Sequence, residues 1–174
     1  MPRSFDVSDA YQGSVEDIHR AFTEADYWLA RLEYSSVDES KLESIRVGGE
    51  SGNDGTIDVI TLQVMHRQNL PGVVTQLHHG DLCVRREETW SPLTEGIATA
   101  SIRGSVLDSP VSVVGTAVLS SLAASGGASL DVQLTVHVRI PLIGGKLEKL
   151  IGAQLATLVA EEQRFTTMWL DSRA

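Results

Sequence analysis

The chain has little of several things, and each scarcity removes a class of function. It holds one cysteine, Cys83, in 174 residues. No internal disulfide can form, and a reducing compartment is expected. The most apolar run, Val111 to Ala124, is interrupted by Ser112, Gly115, Thr116, Ser120 and Ser121. It also falls short of the roughly 20 residues that span a bilayer, so no stable membrane insertion is expected. The opening Met1-Pro2-Arg3-Ser4-Phe5-Asp6 lacks the apolar core of a signal peptide, which points to a cytoplasmic protein. Positive charge is short as well: the net charge is −9. That opposes a nucleic-acid partner, which needs a basic footprint, and electrostatic docking on anionic lipid. Lysine is the rarer cation, with Lys41, Lys146 and Lys149 against eleven arginines. We read that skew as codon bias without functional weight.

Catalytic signatures are missing too. There is no G-x-S-x-G elbow, Walker loop, G-x-G-x-x-G turn, H-E-x-x-H helix or C-x-x-C pair. The five histidines, His19, His66, His78, His79 and His137, show no metal-ligand spacing. The adjacent His78 and His79 would diverge by about 100° on a helix and point to opposite faces on a strand. No metal and no cofactor are expected.

What remains is an ordinary globular composition, 42% hydrophobic and 21% charged, with no repeat. It is enough for one domain over residues 1–174. The clearest pattern is at the end. Leu130, Val132, Leu134, Val136, Val138 and Ile140 alternate with Asp131, Gln133, Thr135, His137 and Arg139, the period of a half-buried strand. Pro141 and Gly144-Gly145 then turn the chain into a helical pattern of about 28 residues, spanning about 42 Å. Its apolar stripe is read as Ile143, Leu147, Leu150, Ile151, Leu155, Leu158, Phe165 and Trp169. Gly144-Gly145 reads as the means of a sharp turn rather than as an anion site.

Upstream, Arg3–Tyr11 alternates as a first strand. Ser14-x-x-Asp17 resembles a capping box, and Ile18, Ala21, Phe22, Ala25, Leu29 and Leu32 keep helical spacing to about Tyr34. Thr23 with Asp26 predicts a second cap and hence a break into two short helices. Strands are expected at Lys41–Val47, Thr56–Arg67, Leu82–Trp90, Ile97–Val106, Val111–Ala123 and Ser129–Ile140. Gly48–Gly55, Ser91-Pro92, Asp108-Ser109-Pro110 and Ser125-Gly126-Gly127 separate them as turns. The longer link Asn69–Asp81, with Pro71, Val73, Val74 and Leu77, reads as a short helix or apolar flap.

The order strand, two helices, six strands, long helix predicts an α+β helix-grip fold, a curved seven-stranded antiparallel sheet around the last helix. In that order the chain resembles the START-like superfamily of polyketide cyclases, dehydratases and lipid carriers (SRPBCC). Pro141-Leu142-Ile143-Gly144-Gly145-Lys146-Leu147-Glu148, Glu88-Thr89-Trp90 and Trp169-Leu170 look like an uncharacterised actinobacterial branch of it. The resemblance implies a fold and a hydrophobic cavity between sheet and helix. It implies no activity.

Candidate site residues follow from parity. With Leu82, Val84 and Trp90 inward, Arg86 and Glu88 share the inward face. They form either an internal ion pair or a grip on a ligand's polar head. Glu162 and Gln154 interrupt the helix stripe, and a desolvated Glu162 would have a raised pKa, suited to a general acid or anchor. Trp90 and Trp169 read chiefly as core. The candidate binding set is Arg86, Glu88, Trp90, Gln154, Leu158 and Glu162. The expected function is a carrier for a small hydrophobic ligand, of lipid, polyketide or isoprenoid type. The flap Asn69–Asp81 and the turn Gly48–Gly55 would be its gates. An enzyme of cyclase or dehydratase type would need Glu162 with Arg86 or His66 as its acid/base set. A chaperone-activator-like interaction module is a third reading. Composition leaves a homodimer open.

Overall fold

The long C-terminal helix, α4 (Gly144–Ser172), crosses the concave face of one sheet. In the computed structural model, residues 2–35, 37–49, 51–122 and 124–173 are described. Glu50 in the glycine-rich turn, Ala123 at the end of the sixth expected strand, and Ala174 lie outside them. The sheet is β1 (Arg3–Tyr11), β2 (Glu39–Val47), β3 (Ile57–Met65), β4 (Leu82–Trp90), β5 (Ile97–Val106), β6 (Val111–Ser121) and β7 (Ala128–Val138). Its spatial order is β1-β7-β6-β5-β4-β3-β2, every pair antiparallel. Hairpins therefore run in sequence from β2 to β7, and β1 closes on the last strand. This is the expected helix grip.

Between β1 and β2 lie α1 (Val15–Ala21) and α2 (Ala25–Tyr34). Ser14 caps α1, its Oγ accepting from the Asp17 N–H at 3.2 Å. The break after α1 is present, but the expected Thr23–Asp26 cap is not. The Thr23 hydroxyl instead donates to the Arg20 carbonyl at 2.6 Å, so it closes α1, and Glu24 enters α2 without a side-chain cap bond. The third strand stops at Met65, short of Arg67, because Arg67–Asn69 coil into a 3-10 turn. A short helix, α3 (Gly72–Leu77), follows, with no fully buried residue.

The α4 stripe is phased differently from the sequence reading. Gly144, Glu148, Gly152, Val159, Phe165 and Thr166 are buried, while Ile143 and Leu150 are exposed. The reason is close approach: a Cβ on Gly152 would collide with the Phe5 ring. Small residues, not bulky ones, mark the line of contact with β1. Glu148 is sealed for a local reason. The β1 ladder ends at Arg3 opposite Val136, leaving the Val138 N–H beyond it without a strand partner. The Glu148 Oε2 accepts that N–H at 2.9 Å.

Register places the inward side chains in rows across β3, β4, β5 and β6. Ile57, Trp90, Ala100 and Ala117 form one row, and Val59, Glu88, Ile102 and Gly115 the next. Thr61, Arg86, Gly104 and Val113 follow, then Gln63, Val84 and Val106. The first row is dry and capped by aromatics, with Phe22 5.0 Å from Trp90 and 5.6 Å from Tyr27 between ring centroids.

Candidate functional site

Four charged side chains from three elements meet between α4 and the third row. α2 brings Arg31 and β4 brings Arg86 and Glu88. α4 brings Glu162. The Glu162 carboxylate is the hub. Its Oε2 accepts from Arg31 Nη2 at 2.6 Å, Arg31 Nε at 3.1 Å and Arg86 Nη1 at 2.7 Å. Its Oε1 accepts from Arg86 Nη2 at 3.1 Å. Arg86 Nε reaches back to Glu88 Oε2 at 3.2 Å, one strand pleat away. Arg31 Nη2 lies 3.9 Å from the same oxygen.

Aromatic groups hold the second arginine. The Arg31 guanidinium lies 4.7 Å from the Trp28 ring centroid, a cation–π geometry. Its Nη1 donates to the Tyr27 hydroxyl at 3.4 Å. That hydroxyl also bonds Thr166 Oγ1 at 2.7 Å, and Thr166 Oγ1 donates to the Glu162 carbonyl at 2.8 Å. The network thus ties α2, β4 and α4 together, with two positive and two negative charges.

Burial alone would raise the Glu162 pKa. The Arg31 and Arg86 charges and their hydrogen bonds outweigh it and hold the carboxyl at about 2. Burial likewise works against both guanidinium charges and is the largest single effect; Glu162 and Glu88 together, with Tyr27 for Arg31, more than offset it, so both arginine pKa values rise further. The expected raised pKa of Glu162 is therefore corrected: it is an ionised anchor near neutral pH, not a general acid. The sequence reading foresaw burial but not the second arginine.

Of the candidates, Arg86, Glu88, Leu158 and Glu162 line one cleft, with Ser35, Thr61 and Gln63 beside them. Its cavity is about 20 Å³, room for about one water molecule. The expected apolar cavity is thus not what lies against these residues; a small cleft of mixed lining is, with Trp28, Leu32 and Tyr34 beside the charged groups. Gln154 is exposed. It does not interrupt the buried stripe, because that stripe runs through Gly152 and Leu155 on the other side. His66 is also elsewhere, its Nε2 bonded to Glu39 Oε2 at 2.8 Å on the surface. Of the residues named for an acid/base set, Glu162 and Arg86 are brought together and His66 is not. Trp90 is buried in the aromatic layer and does not line the cleft. Among the described residues, no three His, Cys, Asp or Glu side chains gather as metal ligands.

Arg31, Tyr27 and Thr166 escaped sequence reading. Arg31 did carry a signal: it stands four residues after Tyr27 and three after Trp28, on their side of α2.

Beyond the cluster the concave face changes character. Val84, Val106 and Val111 have inward parity, yet all are only half-buried. Ile151 and Leu158, on the α4 side that carries Glu162, are half-buried too. None of these five belongs to the aromatic-capped core cluster. Inward aliphatics that keep contact with water mean that this half of the grip is open over β4, β5 and β6, whereas Val136 and Val138 of β7 at the same end are sealed.

Residues 6–170 match the family described as a protein of unknown function, DUF2505. The chain belongs to the DUF2505 family. An uncharacterized relative in Mycobacterium tuberculosis (strain ATCC 25618 / H37Rv) is 66% identical over 170 residues, covering 98% of both chains. A START superfamily protein from Mycobacterium smegmatis superposes with a TM-score of 0.56 at 13% identity, covering 96% of this chain and 98% of that one. The Zhui aromatase/cyclase from a Streptomyces species gives 0.65 at 6% identity, covering 99% and 96%. These DUF2505 residues therefore adopt a START-like, helix-grip fold. No helix among the described residues is long and apolar enough to cross a membrane.

Proposed function

We propose that the chain binds and carries a small, mainly hydrophobic molecule in the open half of the grip. The observation that carries this is the burial gradient along the strands. Ile57, Ala98, Ala117 and Leu119 are sealed at one end, while Val84, Val106 and Val111, of the same parity, are left wet at the other. A ligand of lipid, polyketide or isoprenoid type would cover those side chains, gaining about 25 cal/mol for each Å² taken from water. Its polar end would sit at the one-water cleft, where Arg86 and Glu88 offer donors and an acceptor. The flap of α3 would act as the gate, since it is a short helix with no fully buried residue. Arg67 tethers it, its backbone N–H donating to the Asp81 carboxylate at 2.9 Å and its guanidinium to the His78 carbonyl at 2.9 Å and the Thr75 carbonyl at 3.3 Å. The cyclase or dehydratase reading loses its proton donor once Glu162 is ionised and bound by two arginines.

The test is native mass spectrometry of protein purified from its own host, together with titration of a fluorescent fatty acid. Bound small molecule, or saturable probe uptake that Val84→Asp weakens, supports the carrier. No co-purified molecule and no probe uptake would sink it.

A further inference from the structure

The exposed aliphatic side chains are unevenly distributed. Three links close the same end of the sheet: residues 66–81, 107–110 and 139–143. Each displays bulky apolar groups to water: Val73 and Leu77 in the first, Leu107 in the second, Leu142 and Ile143 in the third. Leu150, seven residues after Ile143 and so on the same side of α4, is exposed as well. Leu142 is the extreme case. It is fully exposed, at 105%, and holds a φ of 72°, a left-handed conformation uncommon for a bulky residue. The turn presents a leucine to solvent at a backbone cost and with no packing in return.

Cations accompany the third link. Arg139, Lys146 and Lys149, all exposed, flank Leu142, Ile143 and Leu150 in sequence, whereas Asp81 and Asp108 lie in the other two links. The one acid of that stretch, Glu148, is fully buried. Two of the three lysines of the chain are therefore set beside its most exposed leucine, on a molecule whose net charge is −9. Net charge describes the whole molecule, whereas docking is decided by the face that arrives. Apolar tips that insert among acyl chains, accompanied by cations that meet headgroup phosphates, match an anionic bilayer surface.

We propose that the end of the molecule formed by Leu107, Leu142, Ile143 and Leu150, with Arg139, Lys146 and Lys149, docks reversibly on anionic lipid bilayers. It is the end at which the wetted aliphatics of the concave face open, so docking would set that opening against the membrane. The inference goes beyond the carrier reading and stands whether or not a cargo is bound.

The experiment is co-sedimentation of the full chain with vesicles of phosphatidylcholine alone or of phosphatidylcholine with phosphatidylglycerol. Binding to the second and not the first is expected, at about 0.1 M salt, with loss at about 0.5 M. The double variants L142D/I143D and K146E/K149E should each weaken binding by about tenfold. Leu29→Asp, at another exposed aliphatic on α2, should leave it unchanged. Failure of the wild-type chain to sediment with anionic vesicles would overturn the proposal. So would wild-type binding by both double variants, checked for folding by circular dichroism. Because vesicles alone are the probe, a negative result leaves the fatty-acid titration of the carrier reading untouched.

Discussion

Glu162 on α4 and Arg86 on β4 form a two-pronged pair, with Nη1–Oε2 at 2.7 Å and Nη2–Oε1 at 3.1 Å. Such geometry fixes orientation as well as distance. Because Arg31 from α2 takes the same carboxylate, one side chain sets the separation of helix and sheet just where the dry core gives way to the wetted face. A charged hub there does what an apolar contact could not. It holds the grip closed on one side while tolerating water on the other.

Replacing the hub should therefore cost more than replacing a surface acid. Glu162→Gln keeps the shape but leaves two guanidinium groups, 10% and 20% exposed, to share Glu88 as their counter-charge. Breaking a buried pair by removing one partner costs about 3 kcal/mol or more. Urea unfolding should show a loss of unfolding free energy of that size for Glu162→Gln, and little change for Glu161→Gln next to it. Equal, small effects would show the network to be structurally idle.

The same carboxylate gives the protein an acid limit. Its folded pKa of about 2 lies below the ordinary 4.5, so its contribution is fully present above 4.5. It is lost as pH falls from there towards 2, and the difference is worth about 3 kcal/mol. Wild-type unfolding free energy should fall across that window. Glu162→Gln should be flatter there, since it has already lost the term. Parallel curves for the two proteins would contradict the assignment.

How much of this was legible follows from what each residue type reveals. The turn residues that bound them gave Leu82–Trp90 and Ile97–Val106 to the residue, because a turn's chemistry is a local property of the chain. The inward direction of Arg86 and Glu88 came from parity. The break at Glu162 was legible because a carboxylate stood out in an apolar stripe. Gln154 was misplaced because that stripe was phased on bulky residues, when the contact line runs through Gly144, Gly152 and a sealed Glu148. Close approach to Phe5 is a tertiary fact that no helical period encodes. Arg31 was hidden by its own helix, where Leu29 is half-exposed and the arginine is buried, the reverse of hydropathy. Only the two carboxylates facing it, on elements far away in sequence, make its burial tolerable.

His66, expected at the site, gives a test of position instead. Its hydrogen bond to Glu39, more than the small effect of burial, raises its pKa above 6.5, and Asp38 and Asp81 add to this. A raised histidine contributes below 6.5, and the contribution fades as pH climbs through the folded value. Its ring resonances in an NMR titration should shift at higher pH than those of a free histidine. Glu39→Gln should bring the midpoint back, while Glu162→Gln should not move it. A His66 midpoint that follows Glu162 would place it in the cluster after all.

Gly152 offers the sharpest test of how the helix sits. By helix propensity alone, Gly152→Ala in the middle of α4 should stabilise by about 1 kcal/mol. The added methyl meets the Phe5 ring, held on β1 opposite Leu134, and overpacking of that kind costs about 1–3 kcal/mol. The clash should win, so thermal or urea unfolding of Gly152→Ala should show net destabilisation. Phe5→Leu should be mildly destabilising alone, yet combined with Gly152→Ala it should recover much of the loss, because the shorter side chain vacates the space. A stabilising Gly152→Ala would mean that α4 rides further from β1 than the structure has it. The phase of the helix, and with it the placement of Glu162, would then need revision.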